Sequence, residues 1–291
     1  MRLLLVAMAL MLAACTRQSA PALQVASQKP AMAKPQSVQT PLDMLVAAIG
    51  EHRFVLIGEV HGTRETPTLV GDLVAYYVDG GGPVTLGLEV SAREQPRIDR
   101  YLESPGNAGD RKALLAGEHW QGAMHDGRDS EAMLELIDRV RELRLQGADV
   151  RIDLFDASGD GDRDLRMSGH LRATAADAQR ARILVLTGNV HAMTRRPPWS
   201  MFTSNGKLIE PPMTVGRYLA DLAPQSINIG AANGDAWNCA QDGCRAHSLT
   251  ARPAIAQATL KQLPPTESAW DAELTLPRFT ASPPAIQGAD H

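Results

Sequence analysis

The sequence is poor in aromatic residues, cysteines and surplus basic charge. Of its 291 residues, 4% are aromatic and three are cysteines, and the formal net charge is −4. Without a basic stripe, the sequence does not indicate a nucleic-acid partner. Hydrophobic residues make up 44% of the chain, but beyond the N-terminus no apolar run is long enough to cross a membrane. The remainder is therefore typical of one large folded domain with ample buried core.

Residues 1–15 have the features of a secretory signal peptide. Arg2 is followed by an apolar run over residues 3–12, and two alanines precede Cys15. Such a run is too short to span a bilayer. The letters Leu-Ala-Ala-Cys resemble a bacterial lipobox, which predicts that Cys15 is acylated and becomes the new N-terminus. The alternative is an ordinary cleaved signal with an unrelated cysteine.

A lipid on Cys15 predicts where the mature protein works. Several acyl chains on one residue would anchor the chain stably in a membrane. Thr16 after the cysteine resembles the sorting pattern of outer-membrane lipoproteins. We therefore expect an exported outer-membrane lipoprotein that is exposed to the periplasm or the cell surface.

The other two cysteines, Cys239 and Cys244, stand close together in the sequence. In an oxidising compartment such a pair is normally a disulfide, and the intervening Asp242-Gly243 suits a tight turn. The bridge would close a hairpin and stabilise it by roughly 2 kcal/mol. A metal pair or a redox pair is the alternative, but a zinc site would need two further ligands nearby.

Domain organisation is predicted from composition. Residues 16–39 are rich in Ala, Pro, Gln, Ser and Lys, which predicts a flexible tether. The folded domain is expected over residues 40–285, with a disordered tail over 286–291. It opens with Thr40 as a helix N-cap and Pro41 in the first helical position.

Apolar runs that alternate with helical patterns predict an α/β fold. The clearest helix is expected over residues 130–146, where Met133, Ile137 and Val140 follow helical spacing. Strands with helices between them indicate a mainly parallel sheet flanked by helices. Ligands of such sheets bind in a cleft at the carboxyl ends of the strands. Strands are expected at 54–57, 84–88, 150–155, 183–186 and 226–229.

The ends of these predicted strands carry two histidines and several polar partners. Residues two apart in an extended segment share a face, so each histidine can point the same way as the residue two before it. Glycines beside both pairs allow the backbone to approach a ligand closely. The strand ends supply Glu59 and His61, then Glu89, then Asp156 as a possible third carboxylate, and then Asn189 and His191.

This set of residues suits the activation of water. A histidine is the natural general base near neutral pH, and a nearby carboxylate orients the ring and stabilises its charged form. The second histidine could donate to an oxyanion or protonate a leaving group, and Asn189 could contact the substrate. Alternatively, His61, His191, Glu59 and Glu89 could bind zinc or manganese with an open position for water.

Other polar residues have simpler interpretations. Glu89 could instead hold a loop amide or an arginine, and Asp156 is interpreted as a turn residue before a glycine-rich loop. Residues 126–129 predict a turn and an N-cap, with Arg128 as a weaker candidate for clamping an anionic substrate group. The remaining loop histidines are expected to be surface or satisfied core residues: His52, His119, His125 and His170.

The two histidine motifs resemble those of a known superfamily. The motif at 58–62, Glu89 after an apolar strand, and the motif at 188–191 resemble the erythromycin-esterase-like, ChaN-like and Tiki superfamily. The segment 126–128 and a closing strand at 270–274 look most similar to the ChaN-like haem-binding lipoproteins. The resemblance covers roughly residues 41–283.

This resemblance implies an α/β fold in which His61 is the catalytic base, Glu59 and Glu89 are its carboxylate partners, and His191 is the second histidine. Some members hydrolyse a macrolide ester, Tiki proteins look like metal-dependent peptidases, and ChaN-like members bind haem at a dimer surface. Fold alone does not decide among these activities. Two functions follow: an ester, lactone or peptide hydrolase, or a haem or iron-uptake lipoprotein that forms a homodimer. For the second, Tyr76 and Tyr77 are candidate haem ligands, with ordinary helix packing as the alternative.

Overall fold

We describe the protein from a computed structural model, which describes residues 39–286 except 123–124, 158, 203–205 and 241. The described residues form one compact unit. The predicted signal peptide and nearly all of the predicted tether lie outside the described residues. Ile286, the first residue of the predicted tail, packs against the core, and residues 287–291 also lie outside. Within the described part, none of the helices has the length and apolarity needed to cross a membrane.

A seven-stranded sheet forms the centre of the domain. Its strand order is β10-β11-β7-β1-β4-β2-β3, and all neighbours are parallel except β10 and β11. The α/β fold with a mainly parallel sheet is therefore confirmed. Two further pairs, β5–β6 and β8–β9, form separate two-stranded sheets. The strands of all three sheets are β1 Phe54–Glu59, β2 Val84–Ser91, β3 Val150–Asp156, β4 Arg182–Gly188, β5 Met201–Phe202, β6 Leu208–Ile209, β7 Gln225–Ala231, β8 Asp235–Ala240, β9 Gly243–Ser248, β10 Thr259–Gln262 and β11 Ala272–Leu276.

Helices cover both faces of this sheet. They are α1 Pro41–Ile49, α2 Glu65–Asp79, α3 Gln95–Leu102, α4 Ala108–Leu115, α5 Glu118–Gln121, α6 Glu131–Leu145, α7 Arg163–Asp177 and α8 Val215–Tyr218, with short 3-10 helices at Ala92–Glu94 and Ala220–Leu222. The predicted start of α1 is confirmed, because Thr40 and Asp43 form a reciprocal capping box. The predicted α6 is confirmed as well, with Ser130 as its N-cap.

The central strands are buried because helices cover them on both sides. All six residues of β1 are buried, as expected of a parallel strand that reads as a continuous apolar run. Val55 and Ile57 belong to the larger hydrophobic cluster, whereas Phe54 and Leu56 face the smaller one. Full burial of each such side chain contributes about 1.5–3 kcal/mol. This packing fixes the end of β1, where the candidate site begins.

The later part of the chain differs in detail from the sequence prediction. The closing strand begins at Ala272 rather than at Trp270, because Asp271 exchanges backbone and side-chain hydrogen bonds with Ser226 just before the strand pairs. The predicted disulfide is confirmed: Cys239 and Cys244 are bonded across the β8–β9 hairpin.

Candidate active site

The carboxyl ends of β1, β4, β2 and β3 lie side by side, and both histidine motifs meet there. The His61 Nε2 atom lies 3.8 Å from Glu89 Oε2, and His191 Nε2 lies 3.8 Å from Glu89 Oε1. Both imidazoles are about one-fifth exposed, whereas Glu89 is buried. The residues that the sequence predicted for one cleft therefore lie together, with Glu89 between the two rings.

His61 is oriented by the carboxylate two residues before it. Its Nδ1 atom lies 2.9 Å from Oε1 of Glu59, which is only 3% exposed. When Nδ1–H donates to this carboxylate, Nε2 is left as a proton acceptor. Burial lowers the pKa of His61, but the hydrogen bond and charge of Glu59, together with the charge of Glu89, raise the pKa above its ordinary value.

Glu89 is held by donors on both oxygens. Oε2 accepts from the Thr187 hydroxyl at 2.6 Å and from the Gly188 backbone N–H at 2.8 Å. Oε1 accepts from Arg163 at 2.7 Å and from Arg128 at 3.2 Å. Burial would raise the pKa of this carboxyl, but the two histidines and Arg128 hold it well below its usual range. Glu89 is therefore a fixed negative charge.

Asp156 links the two arginines, which differs from its interpretation as a turn residue. Its Oδ2 atom accepts from Arg128 at 2.9 Å and from Arg163 at 2.8 Å. Arg128 also contacts Asp126, with 2.6 Å between Nη2 and Oδ2. Burial alone would lower the pKa of each guanidinium, but these carboxylates raise it. Arg128, expected as an anion clamp, thus binds carboxylates of the protein itself.

The second histidine has a different environment from the first. His191 Nδ1 lies 2.7 Å from Asp164 Oδ1, and Nε2 lies 3.1 Å from Arg163 Nη1. Because a guanidinium only donates, Nε2 must accept, and the ring carries its proton on Nδ1. Asp164 is fixed in turn by the Val215 backbone N–H at 2.8 Å. Neither Arg163 nor Asp164 was predicted from the sequence. Both follow a polar, glycine-rich loop at the start of α7, where no apolar pattern draws attention to them.

Gly188 gives the rings the space that they occupy. A Cβ atom at this position would lie 2.9 Å from His61 Nε2 and 3.5 Å from His191 Cδ2. The predicted need for glycine beside the histidine motifs is therefore a steric one here. Any larger residue would displace the Nε2 atom of His61.

The disulfide-bonded hairpin supports the two loops that carry His61 and Arg128. Trp237 N–H of β8 donates to Gly62 O at 2.9 Å, and Cys239 N–H donates to His125 O at 3.2 Å. Gly127 adopts φ +91° and crosses Gly62 so closely that a Cβ would lie 2.2 Å from the Gly62 nitrogen. One hairpin therefore positions both loops.

Asn189 has a structural place at the edge of the site. Its backbone N–H donates to Glu59 O at 2.9 Å, and its carbonyl accepts from Trp270 Nε1 at 2.9 Å. Its contact with a substrate stays a prediction.

Of the histidines expected to be surface or core residues, His52 is exposed, and the side chains of the other three have partners other than the His61 and His191 rings. His119 contacts Arg128 O, His125 contacts Asp129, and His170 contacts Asp153.

The tyrosines suggested as haem ligands lie near the end of α2, shortly before β2 begins. They are therefore at the amino ends of the strands, opposite the candidate site. The ring of Tyr77 packs under the Arg182 guanidinium at 4.2 Å, and its hydroxyl is buried. Tyr76 is 48% exposed. Tyr76 is therefore the more accessible of the two.

The donor chemistry of the cleft does not fit the suggested zinc or manganese site. In the described part of the chain, no three His, Cys, Asp or Glu side chains are grouped to hold a metal ion. Both oxygens of Glu89 already accept hydrogen bonds, and the Nε2 atom of His191 already accepts from Arg163. The guanidinium groups of Arg128 and Arg163 already supply positive charge next to the Glu89 carboxylate.

Comparisons with known proteins identify the fold. No protein-family model matches the chain, and none of the curated proteins matches it in sequence. Among solved structures, an erythromycin esterase in its open conformation superposes with a TM-score of 0.59 at 12% identity, covering 81% of this chain and 93% of that one. A succinoglycan biosynthesis protein gives 0.57 at 10% identity, covering 85% and 95%.

A protein from Bacillus cereus gives a TM-score of 0.53 at 12% identity, covering 87% of this chain and 96% of that one. The haem-binding ChaN of Campylobacter jejuni gives 0.43, which is too low to support an argument about haem. The chain thus has the same fold as these three structures, which is the fold that the resemblance of the two histidine motifs implied.

Proposed function

We propose that this protein is a hydrolase that activates water at His61 and cleaves an ester, lactone or peptide bond. The observation that carries the proposal is the setting of the His61 ring. Nδ1 is held 2.9 Å from the buried Glu59 carboxylate, which leaves Nε2, 3.8 Å from Glu89 Oε2, as the acceptor of a ring that is 23% exposed. A positioned histidine base of this kind contributes about 10²–10⁴ to the rate.

The proposed reaction uses His61 first as base and then as acid. Nε2 takes a proton from water as the water oxygen bonds to the substrate carbonyl carbon. The resulting imidazolium is stabilised by Glu59. When the tetrahedral intermediate collapses, the bond to the leaving oxygen or nitrogen breaks, and Nε2 returns its proton to that atom.

Arg163 is the group best suited to meet the negative charge that develops on the substrate oxygen. Its side chain is 35% exposed, and its Nη1 atom contacts His191 Nε2 at 3.1 Å. A preorganised cation stabilises an oxyanion most strongly in a site sheltered from water. We therefore assign His191 a positioning role, because its Nε2 accepts from Arg163 and cannot at the same time donate to the oxyanion.

The test is a comparison of two histidine–carboxylate pairs. The protein is screened on ester, lactone and peptide panels, and His61→Ala should lower kcat/KM at least about 100-fold. His170→Ala is the matched control, because His170 also pairs with a carboxylate and has a raised pKa, and it should retain activity. Undiminished turnover by His61→Ala would refute the assignment, as would equal losses in both variants.

We further propose that the protein is anchored in the outer membrane through a lipid on Cys15. The support is the apolar run followed by small residues and a cysteine at the cleavage point. Labelling of cells with a radioactive fatty acid should mark the wild-type chain and leave Cys15→Ser unmarked. Equal labelling of both would remove the proposed acceptor.

A second candidate function is haem binding at the opposite edge of the sheet. A surface cavity of about 760 Å³ there is lined by Tyr76, Tyr77 and three arginines, with two acidic residues beside them: Arg53, Arg180 and Arg182, and Glu51 and Asp79. A tyrosine can serve as an axial haem ligand, and arginines suit carboxylate groups. Titration with hemin should give a saturable absorbance shift that Tyr76→Phe abolishes. The absence of a shift would leave this candidate without support, whatever the outcome at His61.

A further inference from the structure

Exposed apolar side chains are concentrated in one part of the chain. In the part that the structure describes, seven large hydrophobic residues are exposed, and four of them lie between positions 199 and 213. We call these four the apolar surface. They are Trp199 (40% exposed), Phe202 (61%), Leu208 (61%) and Met213 (40%). Phe202 and Leu208 are directly opposite each other in the β5–β6 pair, so these two exposed side chains are neighbours, and contiguous exposed apolar area marks an interaction site.

The apolar surface is attached to the edge of the sheet that carries the candidate site. Before it, Arg195 Nη1 contacts Asp271 Oδ1 at 2.6 Å. Trp199 stacks on Trp270, with 5.4 Å between ring centroids and 26° between ring planes. Trp270 in turn donates from Nε1 to Asn189 O in the second histidine motif. Trp199 is therefore held in its partly exposed position by its stacking on Trp270.

Charge around the apolar surface has the opposite sign to that of the whole protein. Between residues 195 and 217 the only acidic residue is Glu210, although the chain as a whole carries a net charge of −4. The basic residues of that stretch are Arg195, Arg196, Lys207 and Arg217. Arg195 pairs with Asp271 and Arg196 pairs with Glu210, so the stretch together with Asp271 keeps two more basic than acidic side chains. Basic residues attract anionic headgroups by about 1 kcal/mol each near a membrane surface.

We propose that the apolar surface binds the headgroup region of an anionic lipid bilayer. Aromatic and aliphatic side chains flanked by basic residues are the chemistry of interfacial membrane binding, and tryptophan is enriched at that depth. A second copy of the chain fits less well, because a twofold contact would bring two positively charged stretches together. The proposal uses no group of the His61 site and does not depend on hydrolysis.

The test measures vesicle binding without the lipid anchor. The chain from residue 16 onward retains both hydrophobic clusters of the domain. It is sedimented with vesicles rich in phosphatidylglycerol and with vesicles of pure phosphatidylcholine. Binding should be about tenfold or more stronger to the anionic vesicles. The double variant Phe202→Ser/Leu208→Ser should lower the partition coefficient about tenfold.

A matched control distinguishes binding by this surface from nonspecific adsorption of any exposed apolar side chain. Leu145 is 59% exposed, almost the same as Leu208, but it ends α6 just before β3 at the opposite edge of the sheet. Leu145→Ser should bind vesicles as the wild type does, whereas Leu208→Ser alone should bind less. All variants should have unchanged circular dichroism, which shows that they are folded.

Three results would overturn the proposal. The first is equal binding to both kinds of vesicle, or equal loss in Leu145→Ser and Leu208→Ser. The second is a dimer of the wild-type chain that Phe202→Ser/Leu208→Ser dissociates, with vesicle binding unchanged, which would assign the surface to a second copy. The third is a raised KM of Phe202→Ser/Leu208→Ser for a soluble substrate, with vesicle binding unchanged. That result would mean that the apolar surface contacts the substrate.

Discussion

Substitution of Gly188 by alanine tests whether the space around the His61 ring is needed for activity. The added Cβ would lie 2.9 Å from His61 Nε2, roughly half an ångström closer than atoms pack at their optimal separation. The ring is a side chain and can move away, so the cost in folding should be small, about 1 kcal/mol. Movement, however, would carry Nε2 away from its position beside Glu89.

The effect on the rate should be much larger than the effect on stability. A displacement of about 1 Å in a catalytic group can cost about 100-fold in rate. Gly188→Ala should therefore lower kcat/KM about 100-fold while its thermal unfolding changes little. Gly169→Ala is the control, because this glycine lies in α7 with open space around its added Cβ. That variant should gain up to about 1 kcal/mol in stability and keep full activity. Full activity of Gly188→Ala would refute the argument.

The remaining predictions concern charge and cross-linking. If deprotonated His61 is the active form, activity rises with pH through its pKa. Glu59→Gln removes the carboxylate whose charge and hydrogen bond raise the pKa of His61, so the midpoint of kcat/KM against pH should fall. An unchanged midpoint would contradict the pairing of His61 with Glu59. Because the folded pKa of Glu89 is lowered, its stabilisation is present above the ordinary carboxyl pKa of about 4.3 and is lost on acidification. Urea unfolding of Glu89→Gln should depend less on pH in that acidic range than wild type, and equal slopes would argue against it. Cys239→Ser/Cys244→Ser should lose about 2 kcal/mol in urea unfolding together with some activity, whereas unchanged activity would mean that the hairpin does not position the loops.

The sheet and its site edge were predictable because apolar runs reveal buried parallel strands. Such strands end where polar residues begin, and ligands of this fold class bind at those ends. Glu59 and His61 could therefore be grouped with Glu89 and His191 from the sequence. Their distances to one another follow from the strand order, which apolar patterns do not encode.

The arginine network could not be predicted, because it depends on tertiary placement. Arg163 contacts Glu89 across 74 positions of sequence, and nothing local to either residue indicates the other. The proton position on His191 depends on Arg163 and Asp164 together. Asp156 was misinterpreted for the same reason, since the glycine-rich segment after it is equally consistent with a simple turn.

The central claim is that His61 is the base that activates water. The most direct measurement compares the pH dependence of kcat/KM with the titration of the His61 ring followed by NMR, using His61→Ala to assign the signal. We predict that both curves share one midpoint, above the ordinary imidazole value of 6.5, because kcat/KM reports the free enzyme. A kinetic midpoint that differs from the titration of His61, or that lies at or below 6.5, would contradict this account.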